Sequence, residues 1–142
     1  MTQVGLYATW PLAAGGCGSI VSGFLPLSIP RKWVAVLGFL VTAALIFIIP
    51  SVPSVAGAMG LMALASFCSD LTMPISWNTC VEIGKQYTAT VSSTMNMLGN
   101  LAGFVAPVVF GFILQYTNSN YNIVMYTMAV ASIVSGVCWL VL

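Results

Sequence analysis

The sequence has no histidine, only three cations (Arg31, Lys32, Lys85) and only two carboxylates (Asp70, Glu82). Without histidine it lacks the commonest metal ligand and the side chain best suited to acid–base work near neutral pH. No nucleophile–base pair stands in for it, and Gly15 to Gly18 (GGCG) fits neither a phosphate-loop nor a dinucleotide pattern. The chain therefore does not read as an enzyme, and no cofactor or metal is expected. A net charge of +1 with no basic run gives nothing for a nucleic acid to hold. The four cysteines (Cys17, Cys68, Cys80, Cys138) form no CxxC pair and sit in apolar runs. They read as small packing residues, neither a zinc site nor a disulfide frame. The N-terminus lacks the basic leading region of a secretory signal.

Charged residues make up 4% of the chain, against about 25% in soluble domains. Such a surface could not be covered with water-compatible groups. What is present is grease: 60% hydrophobic residues and a mean hydropathy of +1.06. The class is all-α integral membrane, a helical bundle with the lipid bilayer as its solvent.

A spanning helix needs about 20 mainly apolar residues, and five stretches qualify: 7–27, 33–49, 55–80, 89–114 and 122–142. The first is rich in glycine, which suits close helix approach in lipid. Pro50 and Pro53 end the second, because proline donates no helical hydrogen bond and disfavours helix in the residue before it. Pro74 interrupts the third. Residues 117–120 (TNSN) form a polar, turn-like break. Arg31 and Lys32 fall between the first and second spans, Lys85 between the third and fourth, and the other two loops carry no charge. The positive-inside rule then puts the N-terminus outside and the C-terminus in the cytoplasm of a multi-pass protein of the inner (plasma) membrane. Five spans in that orientation are what a longer transporter cut partway would leave, so a fragment is expected.

The costly polar groups collect between Ser66 and Gly111. Helical neighbours lie three and four residues apart. On that spacing Ser92, Asn96, Gly99 and Gly103 share a stripe with Asn100 beside it. Ser66, Asp70, Met73 and Trp77 share another, with Thr72, Ser76 and Thr79 on its edge. Gly99 and Gly103 fit simple helix packing, with asparagine as interhelical glue. They fit better a cavity wall, where glycine leaves room and asparagine offers both donor and acceptor, since two asparagines on adjoining faces exceed what packing needs. A carboxylate within a span is expensive and points to function. Asp70 could serve a coupling ion, a proton or a structural pair, but no intramembrane Lys or Arg is present to pair with it. Pro74 frees a backbone carbonyl nearby. Trp77 fits an interfacial belt or a ring stacked on a substrate. Glu82 and Lys85 read as a solvated loop pair.

The runs DLTMPISWNTCVEIG (70–84), TVSSTMNMLGNLAG (90–103) and PVVFG (107–111) resemble helices ten and eleven of the major facilitator superfamily. The nearest pattern is the anion:cation symporter family of organic-anion permeases, which takes in hexuronate, glucarate and galactonate transporters. The resemblance implies that the five spans correspond to helices eight to twelve of a twelve-helix transporter. It implies a sugar-acid or related organic-anion substrate, moved by proton symport. It also implies a partner for this piece, the missing N-terminal half, which would supply the opposite wall of the cavity. Asn96 and Asn100 match the two asparagines of the family's M-N-M-x-G-N motif. Trp77 matches the tryptophan after the polar patch of helix ten, and Ser76 is its neighbour. These four residues are the expected substrate-binding set, and Asp70 the expected ion, proton or cavity residue. The chain departs from the pattern at Glu82, where aspartate is usual, at Ser93, where glycine is usual, and before Arg31, where an acidic residue is missing. The alternative is a stand-alone structural or interaction membrane protein, or a non-functional remnant, with Gly99 and Gly103 as an association face.

Overall fold

The computed structural model describes residues 2–24 and 30–141. Among them no strand occurs, and the all-α class holds. The helices are α1 (Thr2–Gly23), α2 (Arg31–Ile48), α3 (Val55–Asp70), α4 (Thr72–Gly84), α5 (Thr88–Tyr116) and α6 (Tyr121–Val141). Short 3-10 turns occupy Ile49–Ser51 and Lys85–Tyr87. The expected end of the first span at Leu27, and Leu142, lie outside the described residues.

Local chemistry explains most of the boundaries. Pro50 sits in the turn that closes α2, as expected of a residue without an N–H. Ser54 caps α3, its hydroxyl accepting from the Gly57 N–H at 3.1 Å. The polar break after α5 is a helix-ending motif of the Schellman type. The Ser119 N–H reaches back to the Leu114 carbonyl at 2.8 Å, and Asn118 takes the left-handed conformation with φ of 50°. Asn120 then starts α6, its side-chain oxygen accepting from the Asn122 N–H at 3.1 Å.

The interruption expected at Pro74 in the stretch 55–80 falls at Leu71, three residues earlier, and separates α3 from α4. Proline removes the hydrogen bond to the residue four back and crowds that turn, so the disturbance falls ahead of the ring. The expected count of five spans is not confirmed. Among the described residues, three helical stretches are long and apolar enough to cross a membrane: Arg31–Ser51, Val55–Tyr116 and Tyr121–Val141. The middle one covers 62 residues, far more than the roughly 20 that one crossing needs. It holds α3, α4 and α5, which follow one another with no intervening loop.

The chain divides into two compact units, Met1–Ile75 with Met125–Leu142, and Ser76–Val124. The first has a core where α2, α3 and α6 meet. Ile46, Ile49, Ala65 and Ala129 are buried there, with Leu61, Met62 and Met128 packed on them. Thr42 donates its hydroxyl to the Ala65 carbonyl at 3.1 Å, and Gly38 lies against the Cys68 backbone. Numbers rise on α2 as they fall on α3, so this pair is antiparallel. α2 and α6 are antiparallel as well. Gly136 packs on Phe39, Phe47 on Tyr126 at 5.0 Å between ring centres, and Lys32 Nζ donates to the Leu140 carbonyl at 2.6 Å. The start of α2 and the end of α6 therefore share one end of this unit.

The second unit is built on an α4–α5 hairpin. The Cys80 thiol donates to the Met95 sulfur at 3.2 Å, and Gly84 packs against Val91 and Thr88. The turn is tight enough to hold Lys85 at a φ of 45°. Glu82 is not a loop residue, contrary to expectation. It is exposed in the last turn of α4.

Candidate functional site

The expected site residues divide between the two units. Ser76, Trp77, Asn96 and Asn100 belong to the second, Asp70 to the first.

In the second unit, the hairpin register pairs Cys80 with Met95 and Gly84 with Val91. Carried back along α4, it sets Trp77 at the height of Leu98, between the levels of Asn96 and Asn100. Ser76 is half-buried and Trp77 exposed. Val91 and Met95 form the side of α5 that meets α4. Asn96 and Asn100 lie on a face roughly 140° further round the helix, from the 3.6-residue period.

The two asparagines are joined. The Asn100 side-chain amide donates to the Asn96 carbonyl at 2.9 Å and to its side-chain oxygen at 3.3 Å. Those bonds use the amino group of Asn100 and the oxygen of Asn96. The amino group of Asn96 and the side-chain oxygen of Asn100 lie outside them. A fixed pair of amides thus carries one donor group and one acceptor on a single face, the complement needed for a carboxylate beside a hydroxyl. Both residues are exposed, and α5 has no buried residue over its 29-residue length. A side chain at Gly99 or Gly103 would meet nothing within 4 Å. The helix-packing reading of these glycines finds no partner among the described residues.

In the first unit, Asp70 is the last residue of α3 and half-buried. It faces α1. Gly15 is buried directly against its carboxylate, and Gly18 against the Phe67 backbone. The carbonyl that Pro74 deprives of a helical N–H is that of Asp70, four residues back. The Ser19 hydroxyl donates to that carbonyl at 3.3 Å. The carbonyl expected to be freed by Pro74 is taken up by a neighbouring helix. Gly15 and Ser19 were missed in the sequence, although their four-residue spacing marks one face of α1.

Comparison with known proteins gives the context. A probable sulfoacetate transporter from Cupriavidus necator is 30% identical over 130 residues, covering 84% of this chain and 30% of the relative. The chain is homologous to organic-acid transporters. A probable L-galactonate transporter from Escherichia coli is 27% identical over 130 residues, covering 84% of this chain and 28% of the relative. A probable galactarate/D-glucarate transporter from the same organism is 26% identical over 150 residues, covering 99% of this chain and 33% of the relative. These relatives bear out the resemblance to organic-anion permeases of the major facilitator superfamily. Each of these relatives is named as a transporter. The chain spans about a third or less of their length. No family model and no solved structure matches it.

Proposed function

We propose that this chain supplies one wall of the substrate cavity in a permease for small organic anions of the sugar-acid or aldarate kind, working by proton symport. Its spans then correspond to helices eight to twelve of a twelve-helix transporter, and the remainder of the permease is its partner. Alternating access rocks one half of such a transporter against the other around a midplane site. The observation that carries this reading is the linked Asn96–Asn100 pair on the uncovered face of α5. The Asn96 amino group donates to a substrate carboxylate, and the Asn100 oxygen accepts from a neighbouring hydroxyl. Trp77, at the same height, offers a ring for the carbon face of the substrate, with Ser76 beside it. Asp70, in the first unit, is the carboxyl for an ion or proton. The Lys32–Leu140 hydrogen bond supports the orientation read from charge, because it holds the end of α6 beside the basic pair that starts α2.

The test is uptake of labelled galactonate, glucarate and sulfoacetate by cells expressing this reading frame with whatever coding sequence adjoins it. Saturable uptake of at least one, weakened by Asn96→Ala, is expected. Uptake of none of the three counts against the reading. The second reading, a stand-alone membrane protein that associates through α5, draws on the open space over Gly99 and Gly103. A self-association that Gly99→Leu abolishes, in cells without uptake, would favour it.

A further inference from the structure

We infer that α1 clamps the break between α3 and α4 by holding Asp70 at two points, its carboxylate in a notch at Gly15 and its carbonyl on the Ser19 hydroxyl. Three independent features converge on this one residue. Pro74 has no N–H, so the Asp70 carbonyl loses its helical partner. An unpaired carbonyl in an apolar interior costs free energy, and Ser19 from α1 meets it at 3.3 Å. One helical turn earlier on the same face of α1, Gly15 is so close to the Asp70 carboxylate that a methyl group there would overlap it. Gly18, between them, lets α1 lie on the Phe67 backbone.

The break would otherwise be a soft point. Leu71 lies between two helices with helical dihedrals (φ −54°, ψ −30°), its N–H bonding the Phe67 carbonyl four residues back at 3.1 Å. Thr72 braces the far side, its hydroxyl donating to the Ser69 carbonyl at 2.7 Å. With α1 in place, the Asp70 carbonyl is hydrogen-bonded and its carboxylate lies against Gly15 in a helix–helix seam. The clamp fixes the break from outside the broken helix, and Gly15 and Ser19 are the residues through which it acts. This inference does not depend on the substrate.

Two measurements on the whole chain in detergent micelles test it. The first is a thermal-unfolding cycle. Ser19→Ala removes one interhelical hydrogen bond and is expected to lower the midpoint by roughly 3 °C. In a Pro74→Ala background residue 74 regains its N–H, the Asp70 carbonyl regains its helical partner, and the same substitution should then shift the midpoint by less than about 1 °C. An equal loss in both backgrounds, or no loss in either, overturns the assignment. The second measurement is cross-linking. A Cβ at position 15 would sit 3.7 Å from the Asp70 Cβ, close to the mean Cβ separation of about 3.8 Å in disulfides. Gly15→Cys with Asp70→Cys, with Cys17, Cys68, Cys80 and Cys138 changed to serine, should form an intramolecular disulfide under mild oxidation. Gly16→Cys with Asp70→Cys should not, since Gly16 has nothing within 4 Å of its Cβ position. Failure of the first pair to cross-link, or equal cross-linking of both, contradicts the clamp.

Discussion

Replacing Gly38 by alanine separates packing from propensity in this chain. The added methyl would sit 2.9 Å from the Cys68 carbonyl oxygen and 3.0 Å from a methyl carbon of Thr72, where ordinary contact begins at 3.4 Å. The closer neighbour is backbone and cannot swing away, so α2 and α3 must separate by about half an ångström. Overpacking of that kind costs about 1–3 kcal/mol. Alanine recovers about 0.5–1 kcal/mol over glycine in a helix interior. The difference leaves a net loss of about 0–2.5 kcal/mol, centred slightly above 1, which for a chain of this size lowers the unfolding midpoint by roughly 4 °C. Gly99→Ala brings the same helical gain with no neighbour to strike, so its midpoint should stay level or rise slightly. The assay is thermal unfolding of both variants in the same detergent, followed by circular dichroism. An unchanged midpoint for Gly38→Ala, or an equal fall for Gly99→Ala, would refute the α2–α3 contact and the open face of α5 respectively.

Other substitutions probe single bonds. Thr42→Val keeps shape but deletes the hydroxyl that binds the Ala65 carbonyl; a loss of about 0.6 kcal/mol is expected by unfolding in micelles, the average for interhelical hydrogen bonds in lipid. Lys85→Gly removes a side chain from a left-handed backbone with φ of 45° and should stabilise by about 1 kcal/mol, measured the same way. Lys32→Met deletes the hydrogen bond to the Leu140 carbonyl, and faster hydrogen exchange at the C-terminal turn of α6 should report the released end.

Much of this was legible from composition and spacing. The second span, read as 33–49, matches α2 within two residues, because Pro50 is an unambiguous stop. The fourth and fifth, read as 89–114 and 122–142, match α5 and α6 equally well, with the Asn-rich turn between them. The helical spacing set Asn100 beside the stripe that holds Asn96, and the two side chains do join. The α3–α4 break was less legible. Pro74 signalled an interruption, but a proline disturbs the turn before it, and which of those residues leaves the helix depends on tertiary support. That support comes from Gly15 and Ser19, more than 50 positions away in sequence, and periodicity within one helix says nothing about which face of another it meets. The same limit applies to Gly38 and Thr42, whose neighbours on α3 no local pattern names. Glu82 was read as a loop charge because polarity, rather than helix length, set the expected end of that span.

The central claim is that the Asn96–Asn100 pair binds the substrate, and its most direct test is the concentration dependence of organic-acid uptake in the assembled permease. Asn96→Ala should raise the half-saturating concentration about tenfold or more, the loss of a hydrogen bond to the carboxylate, and Asn100→Ala about fivefold, the loss of one to a neutral hydroxyl. Ser93→Ala, exposed one turn away and bonded to the Thr90 carbonyl, should leave it unchanged. Uptake with an unaltered half-saturating concentration in both asparagine variants would contradict the account.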